Sequence, residues 1–188
     1  MRKLIVSEFV TLDGVMEAPG GEKGHPHSGW VFTFTGPEQI SYKLAEVLEA
    51  ESLLIGRITY ESFAGAWPKR SGEFADKMNA MKKHVVSRTL SNPEWNHCEV
   101  IKDDVAGAVA KLKQGDGGPI FLMGSRSILH LLMPHGLVDE YRLMIFPVVL
   151  GSGRKLFPET PEKTVLSLVD TRAFPSGVVV NTYHPAAG

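Results

Sequence analysis

Ser52-Leu53-Leu54-Ile55-Gly56-Arg57-Ile58-Thr59-Tyr60-Glu61-Ser62-Phe63 packs two periodicities back to back. Leu53 to Ile55 is a short apolar run closed by a glycine, which reads as a strand buried on both faces. Thr59 can then cap a short helix that turns Tyr60 and Phe63 inward and closes at Trp67-Pro68. A buried strand feeding directly into a helix is the repeating element of a parallel sheet with covered faces.

The same alternation extends in both directions from this segment. Upstream, residues 3–10 read as a first strand. Residues 13–36 hold six glycines and two prolines without periodicity, which predicts a long loop of the lid or binding type. Pro37 opens a helix to about Ala50, with Ile40, Leu44, Val47 and Leu48 assigned to its inner face. Downstream, a polar helix over 72–80 precedes a strand at His84-Val85-Val86-Ser87 and a weaker one at Glu99-Val100-Ile101. A helix over 103–113 has Asp103 and Asp104 at its positive end and lysines at its negative end. Ile120 to Met123 is the next strand, and a helix over 125–133 follows. Strands then dominate, at 138–149, 164–173 and 178–184, with Pro175-Ser176-Gly177 as a hairpin turn. The expected fold is α/β in a single domain spanning 1–188. It is a three-layer sandwich with a mostly parallel central sheet, helices on both faces and an antiparallel C-terminal edge.

Composition narrows the partners. The chain has 188 residues with 43% apolar and 22% charged content, which suits a soluble globular protein. Twenty Lys+Arg against twenty-one Asp+Glu leave a net charge of -1, so no general basic field draws nucleic acid or an anionic membrane. Glu8 and Asp13 interrupt the N-terminal apolar run before a signal core is complete. Cys98 stands without a disulfide partner, and a reducing cytoplasm is the expected compartment.

Three segments share one local form, a strand ending in a small residue beside an arginine. They are Ile55-Gly56-Arg57-Ile58-Thr59, Val86-Ser87-Arg88-Thr89 and Met123-Gly124-Ser125-Arg126-Ser127. Ligands of open parallel sheets bind beyond the carboxyl ends of the strands. Glycine admits a phosphate to the backbone, a helix start supplies unpaired N–H groups, and arginine adds a bidentate fork. An anionic ligand spanning the three is one reading; the plain alternative is glycines that only end strands and arginines that only face water. No Gly-x-Gly-x-x-Gly follows the first strand, and Gly151-Ser152-Gly153-Arg154-Lys155 lacks Walker spacing. His25 and His27 beside Glu22 are looser than a metal site requires, and no metal is expected.

Taken together, these segments resemble a known superfamily. Gly56-Arg57-Ile58-Thr59-Tyr60-Glu61-Ser62-Phe63 is similar to the strand-to-helix signature of dihydrofolate reductases. Thr11-Leu12-Asp13-Gly14-Val15, Phe74 to Asn79 and Lys83 to Leu90 resemble the branch containing the C-terminal reductase domain of riboflavin biosynthesis (RibD-type), as do Gly124-Ser125-Arg126 and Phe146 to Gly153. The resemblance implies an NADPH-dependent reductase of a small heterocycle or sugar-bearing pyrimidine. It implies that Gly56, Arg57 and Thr59 hold a phosphate group, and that Ser87 and Arg88 flank the adenosine, with Arg88 selecting NADPH over NADH. Gly124, Ser125, Arg126 and Ser127 would pass under the pyrophosphate. Asp13, Gly14 and Trp30 would border the nicotinamide and substrate, with Glu38 the nearest carboxylate for proton donation. Dihydrofolate reductases often join two glycines by a cis bond where this chain has Gly124-Ser125. The resemblance also implies a homodimer. The alternative is a non-catalytic NADP-binding or ligand-sequestering protein that kept the fold.

Overall fold

The computed structural model describes residues 1–160 and 163–186. Its strands are β1 (Leu4–Thr11), β2 (Ser52–Gly56), β3 (Lys82–Val86), β4 (Cys98–Ile101), β5 (Ile120–Leu122), β6 (Glu140–Phe146), β7 (Leu166–Ala173) and β8 (Val179–Pro185). The helices are α1 (Pro37–Glu49), α2 (Arg57–Ala66), α3 (Glu73–Ala80), α4 (Val105–Gln114) and α5 (Arg126–Leu132). Strand order is β4-β3-β2-β5-β1-β6-β8-β7, the expected α/β arrangement of a mostly parallel sheet with an antiparallel C-terminal edge. The chain divides into two compact units, one of residues 1–5 and 42–139, the other of 6–41 and 140–188.

In the first unit β2 pairs in parallel with β3 and β5, and β3 with β4. The strands are short, three to five residues each, and β2 runs directly into α2 at Gly56–Arg57. Leu53, Leu54 and Ile55 on β2 are fully buried, as are Ile120, Phe121 and Leu122 on β5. Full burial of such side chains contributes about 1.5–3 kcal/mol each. Around them close Val47, Tyr60, Met78, Val85 and Trp95. Trp67 stacks on Phe74 with ring centroids 5.0 Å apart at 13°.

One position in this core departs from ordinary patterning. Lys83 on β3 is wholly buried. Its Nζ donates to the carbonyls of Asn79 at 2.7 Å and Asn96 at 3.0 Å, and lies 4.2 Å from the Trp95 ring centroid. Asn79 also accepts from Trp95 Nε1 at 2.8 Å and donates to the Trp67 carbonyl at 3.1 Å. Burial pushes the Lys83 pKa down to about 8. The two carbonyls and the ring favour the ammonium form, so the lysine is a buried cation fixing the end of α3 to the loop before β4.

In the second unit β8 pairs antiparallel with β6 and β7, and the ladder with β7 is broken by a bulge between Leu168 and Asp170. Phe146 at the end of β6 receives three aromatic edges: Phe9 at 5.4 Å, Trp30 at 5.2 Å and Phe34 at 6.0 Å between centroids. The predicted long loop is ordered around this ring, with a 3-10 turn over Trp30–Phe34.

Two local expectations are corrected. Helix α2 begins at Arg57, with extended Gly56 as its N-cap, so Thr59 sits inside the first turn and not at the cap. On α1, Ile40 and Leu48 are exposed, while Gln39, Glu46, Val47 and Ala50 are buried. The polar members are accommodated because Gln39 Oε1 accepts from Ser176 Oγ at 2.5 Å, and Glu46 takes the ammonium of Lys43 at 2.5 Å. Among the described residues, no helix is long and apolar enough to cross a membrane.

Candidate functional site

The ends of β2 and β5 interlock in the first unit. The Gly56 amide donates to Ser125 Oγ at 2.5 Å, and Thr59 Oγ1 lies 3.0 Å from the same hydroxyl. Gly124 and Ser125 both have left-handed backbones, at φ 64° and 68°. A methyl on Gly124 would stand 2.8 Å from Thr59 Oγ1 and 3.0 Å from its Cγ2. Glycine is therefore required at 124 on two counts, conformation and space. Ser125 tolerates the strained conformation because its side chain supplies the acceptor that Gly56 needs. Gly124-Ser125 is a trans peptide, since no cis bond occurs among the described residues.

The junction leaves cationic and N–H donors available. No side chain caps the start of α2, so its first N–H groups remain free of side-chain acceptors. Arg57 pairs with Glu61 at 2.6 Å on the exposed helix surface. Arg126 is half-buried and has no carboxylate partner among the described residues. Ser127 is exposed.

Ser87 and Arg88 follow β3. Ser87 is buried, and its hydroxyl accepts from the amides of Thr89 at 3.2 Å and Leu90 at 3.0 Å, so it shapes the turn that carries Arg88. Arg88 is almost fully exposed and meets Asp103 at 3.8 Å. Such an exposed, long ion pair is held by at most about 1 kcal/mol and exchanges readily for another anion. Arg88, Lys102, Asp103, Asp104 and His135 line a groove of about 400 Å³ with the apolar side chain of Leu131.

The three remaining candidates lie in the second unit. Asp13 is a loop staple: it accepts from Thr11 Oγ1 at 2.5 Å and from the amides of Gly151 at 2.8 Å and Leu150 at 3.2 Å. The Thr11 hydroxyl, helped by those amides, holds its carboxyl below the usual range. Trp30 is buried, with Nε1 donating to the Glu17 carbonyl at 2.8 Å. Glu38 is exposed in the first turn of α1. The loop histidines serve local structure, since His25 Nδ1 accepts the His27 amide at 3.1 Å. No cluster of three or more His, Cys, Asp or Glu able to hold a metal occurs among the described residues. Cys98 is half-buried, and burial pushes its thiol pKa up.

Residues 2–180 match the model of the RibD C-terminal domain. The chain belongs to the RibD C-terminal domain family. It is 33% identical to the uncharacterized protein YyaP of Bacillus subtilis strain 168 over 97% of this chain and 95% of that one. Among solved structures it is similar to a Shewanella sp. PV-4 protein assigned to riboflavin biosynthesis, with a TM-score of 0.75 and 18% identity over 98% and 99% of the two chains. It is also similar to the dihydrofolate reductase of Enterococcus faecalis complexed with NADP(H), with a TM-score of 0.60 and 16% identity over 98% and 97%. At these identities the structural likenesses establish the fold. The RibD-type domain thus has the expected reductase-like architecture, with its small residues and arginines at strand ends.

What sequence reasoning did not reach was the role of Ser125 as acceptor for the Gly56 amide. Its signal was present, a serine directly after a glycine at a strand end, but its reach to Gly56 spans the interval between two segments far apart in sequence.

Proposed function

We propose that this protein is an NADPH-dependent reductase of a small heterocyclic substrate, most like the pyrimidine reductase of riboflavin biosynthesis. The observation that carries the reading is the Gly56–Thr59–Gly124–Ser125 junction beside a half-buried Arg126 that has no carboxylate partner among the described residues. Two strand ends without bulky side chains, an uncapped helix start and a spare guanidinium suit a pyrophosphate. Arg88, loosely paired at the rim of its groove, suits the 2′-phosphate.

The cofactor, when bound, supplies the hydride; the residues of this chain bind and orient it. Thr59 and Ser125 hold the junction in shape, while Arg126 neutralises charge. Asp13 is assigned to fixing the 11–15 turn against 150–151 rather than to proton transfer, because its carboxylate is ionised and already occupied. Glu38, exposed and free of that constraint, is the carboxylate assigned to the substrate end, with Trp30 as a wall. The protein is assigned to the cytoplasm and to a homodimer.

The occupied carboxylate of Asp13 and the buried Trp30 also favour a second reading, an NADP-binding protein without turnover. Calorimetric titration with NADPH and NADH, followed by cofactor oxidation in the presence of ribosylaminopyrimidine and pterin substrates, separates the two. Micromolar NADPH binding with substrate-dependent oxidation supports the reductase. Binding without oxidation supports the second reading, and binding of neither nucleotide overturns both.

A further inference from the structure

Strand β7 ends the strand order, with β8 on one side and, among the described residues, no strand on the other. Every residue from Ser167 to Ala173 is exposed, including Leu168 at 56% and Val169 at 54%. A long edge strand with exposed apolar residues invites pairing unless it is covered.

The ladder identifies which backbone groups are open. The Phe174 amide donates to the Val178 carbonyl at 2.9 Å, making these two the hydrogen-bonded pair beside the turn. Hydrogen-bonded and non-hydrogen-bonded pairs alternate along an antiparallel ladder. The register Ala173↔Val179, Arg172↔Val180, Thr171↔Asn181 therefore turns the N–H and C=O of Ala173 and Thr171 outward. Asp170 and Arg172, two apart, share one face of the strand. The bulge between Leu168 and Asp170 confines the regular edge to the stretch beyond it.

We infer that this edge pairs antiparallel with β7 of a second copy, about a twofold axis through Thr171. That register sets Asp170 of each copy opposite Arg172 of the other, giving two reciprocal ion pairs. A twofold contact must be self-complementary, and a strand carrying one acid and one base symmetrically about its centre meets that condition. The placement rests on the homodimer assigned above and goes beyond it by naming the surface and register.

The test is light-scattering mass and sedimentation equilibrium of the full chain, with D170R, R172D, the double variant D170R/R172D, and Thr171→Pro. The wild type is expected to be a dimer. D170R and R172D each set like charges together and are expected to weaken it at least about tenfold, and the double variant to restore it. Thr171→Pro removes an outward N–H and the Thr171 Oγ1 bond to Asn181 Oδ1 at 2.6 Å, keeps the backbone ladder with β8, and is expected to give a folded monomer by circular dichroism. A wild-type monomer at tens of micromolar would overturn both the homodimer and this edge. A dimer unmoved by all four variants would overturn the edge alone.

Discussion

The Gly56 amide and the Ser125 hydroxyl, 2.5 Å apart, join two strand ends separated by 69 positions in the chain. Ser125 Oγ is the acceptor for that amide, and the serine holds a left-handed backbone to reach it. Ser125→Ala leaves the amide without its acceptor at a cost of about 1–3 kcal/mol. Ser125→Gly loses the same acceptor but relieves the backbone, offsetting roughly 1 kcal/mol. Urea unfolding is expected to order stability as wild type, then Ser125→Gly, then Ser125→Ala. An alanine variant as stable as wild type would mean that water replaces the hydroxyl at no cost.

Gly124 and Thr59 form a second pair whose coupling is measurable. Gly124→Ala brings a methyl against Thr59 Oγ1 and Cγ2 at φ 64° and is expected to cost about 2–4 kcal/mol. Adding Thr59→Ala removes the clash but not the conformational strain. A double-mutant cycle is expected to recover roughly half of the loss; strict additivity would show that the contact relaxes on its own.

His84, almost completely buried on β3, makes stability depend on acid. Neither ring nitrogen has a hydrogen-bond partner among the described residues, and Glu99 Oε2 stays 3.7 Å from Nδ1. Burial, with Lys82 second, pushes its pKa from 6.5 to about 4. The unfolded chain therefore binds the proton first. The stability present above pH 6.5 falls as pH drops toward 4, by about 3 kcal/mol from this group. His84→Leu removes the dependence. The difference in unfolding free energy between variant and wild type, followed from pH 7 to 4, is expected to grow by that amount, and a constant difference would place the imidazole pKa at its ordinary value.

The two arginines of the proposed nucleotide site are distinguishable by ligand. Arg88→Ala is expected to weaken NADPH about 10- to 100-fold and leave NADH unchanged, since one charge-assisted contact is worth about 1.5–3 kcal/mol. Arg126→Ala is expected to weaken both nucleotides alike. Calorimetric titration of each variant with each nucleotide gives the four comparisons. Equal losses for both nucleotides in Arg88→Ala would remove it from 2′-phosphate selection.

Periodicity located the elements because central strands such as β2 and β5 are buried and apolar along their length, and α1 to α4 start at Pro37, Gly56, Gly72 and Asp104. Asp104, for example, caps α4 by accepting from the Gly107 amide at 3.1 Å. The inner face of α1 was not legible, because Gln39 and Glu46 are buried beside partners that a hydropathy pattern does not contain, namely Ser176 and the Lys43 ammonium. In the candidate site, the arginine-bearing strand ends could be read from the local pattern of an apolar run, a small residue and an arginine. The pairing of the Ser125 hydroxyl with the Gly56 amide and the commitment of Asp13 to Leu150 and Gly151 could not, since both are long-range pairings.

The interleaving of the two units bears on synthesis. The first unit closes once Asp139 has left the ribosome, because all of its segments precede that point. Val6 to Ser41, made early, must wait for Glu140 and beyond before the unit it belongs to exists. Val10 and Trp30, buried in the folded chain with Trp30 against Phe146, are expected to stay uncovered in the nascent chain until that stretch is made, so slower translation of the last quarter of the message is expected to lengthen exposure to aggregation.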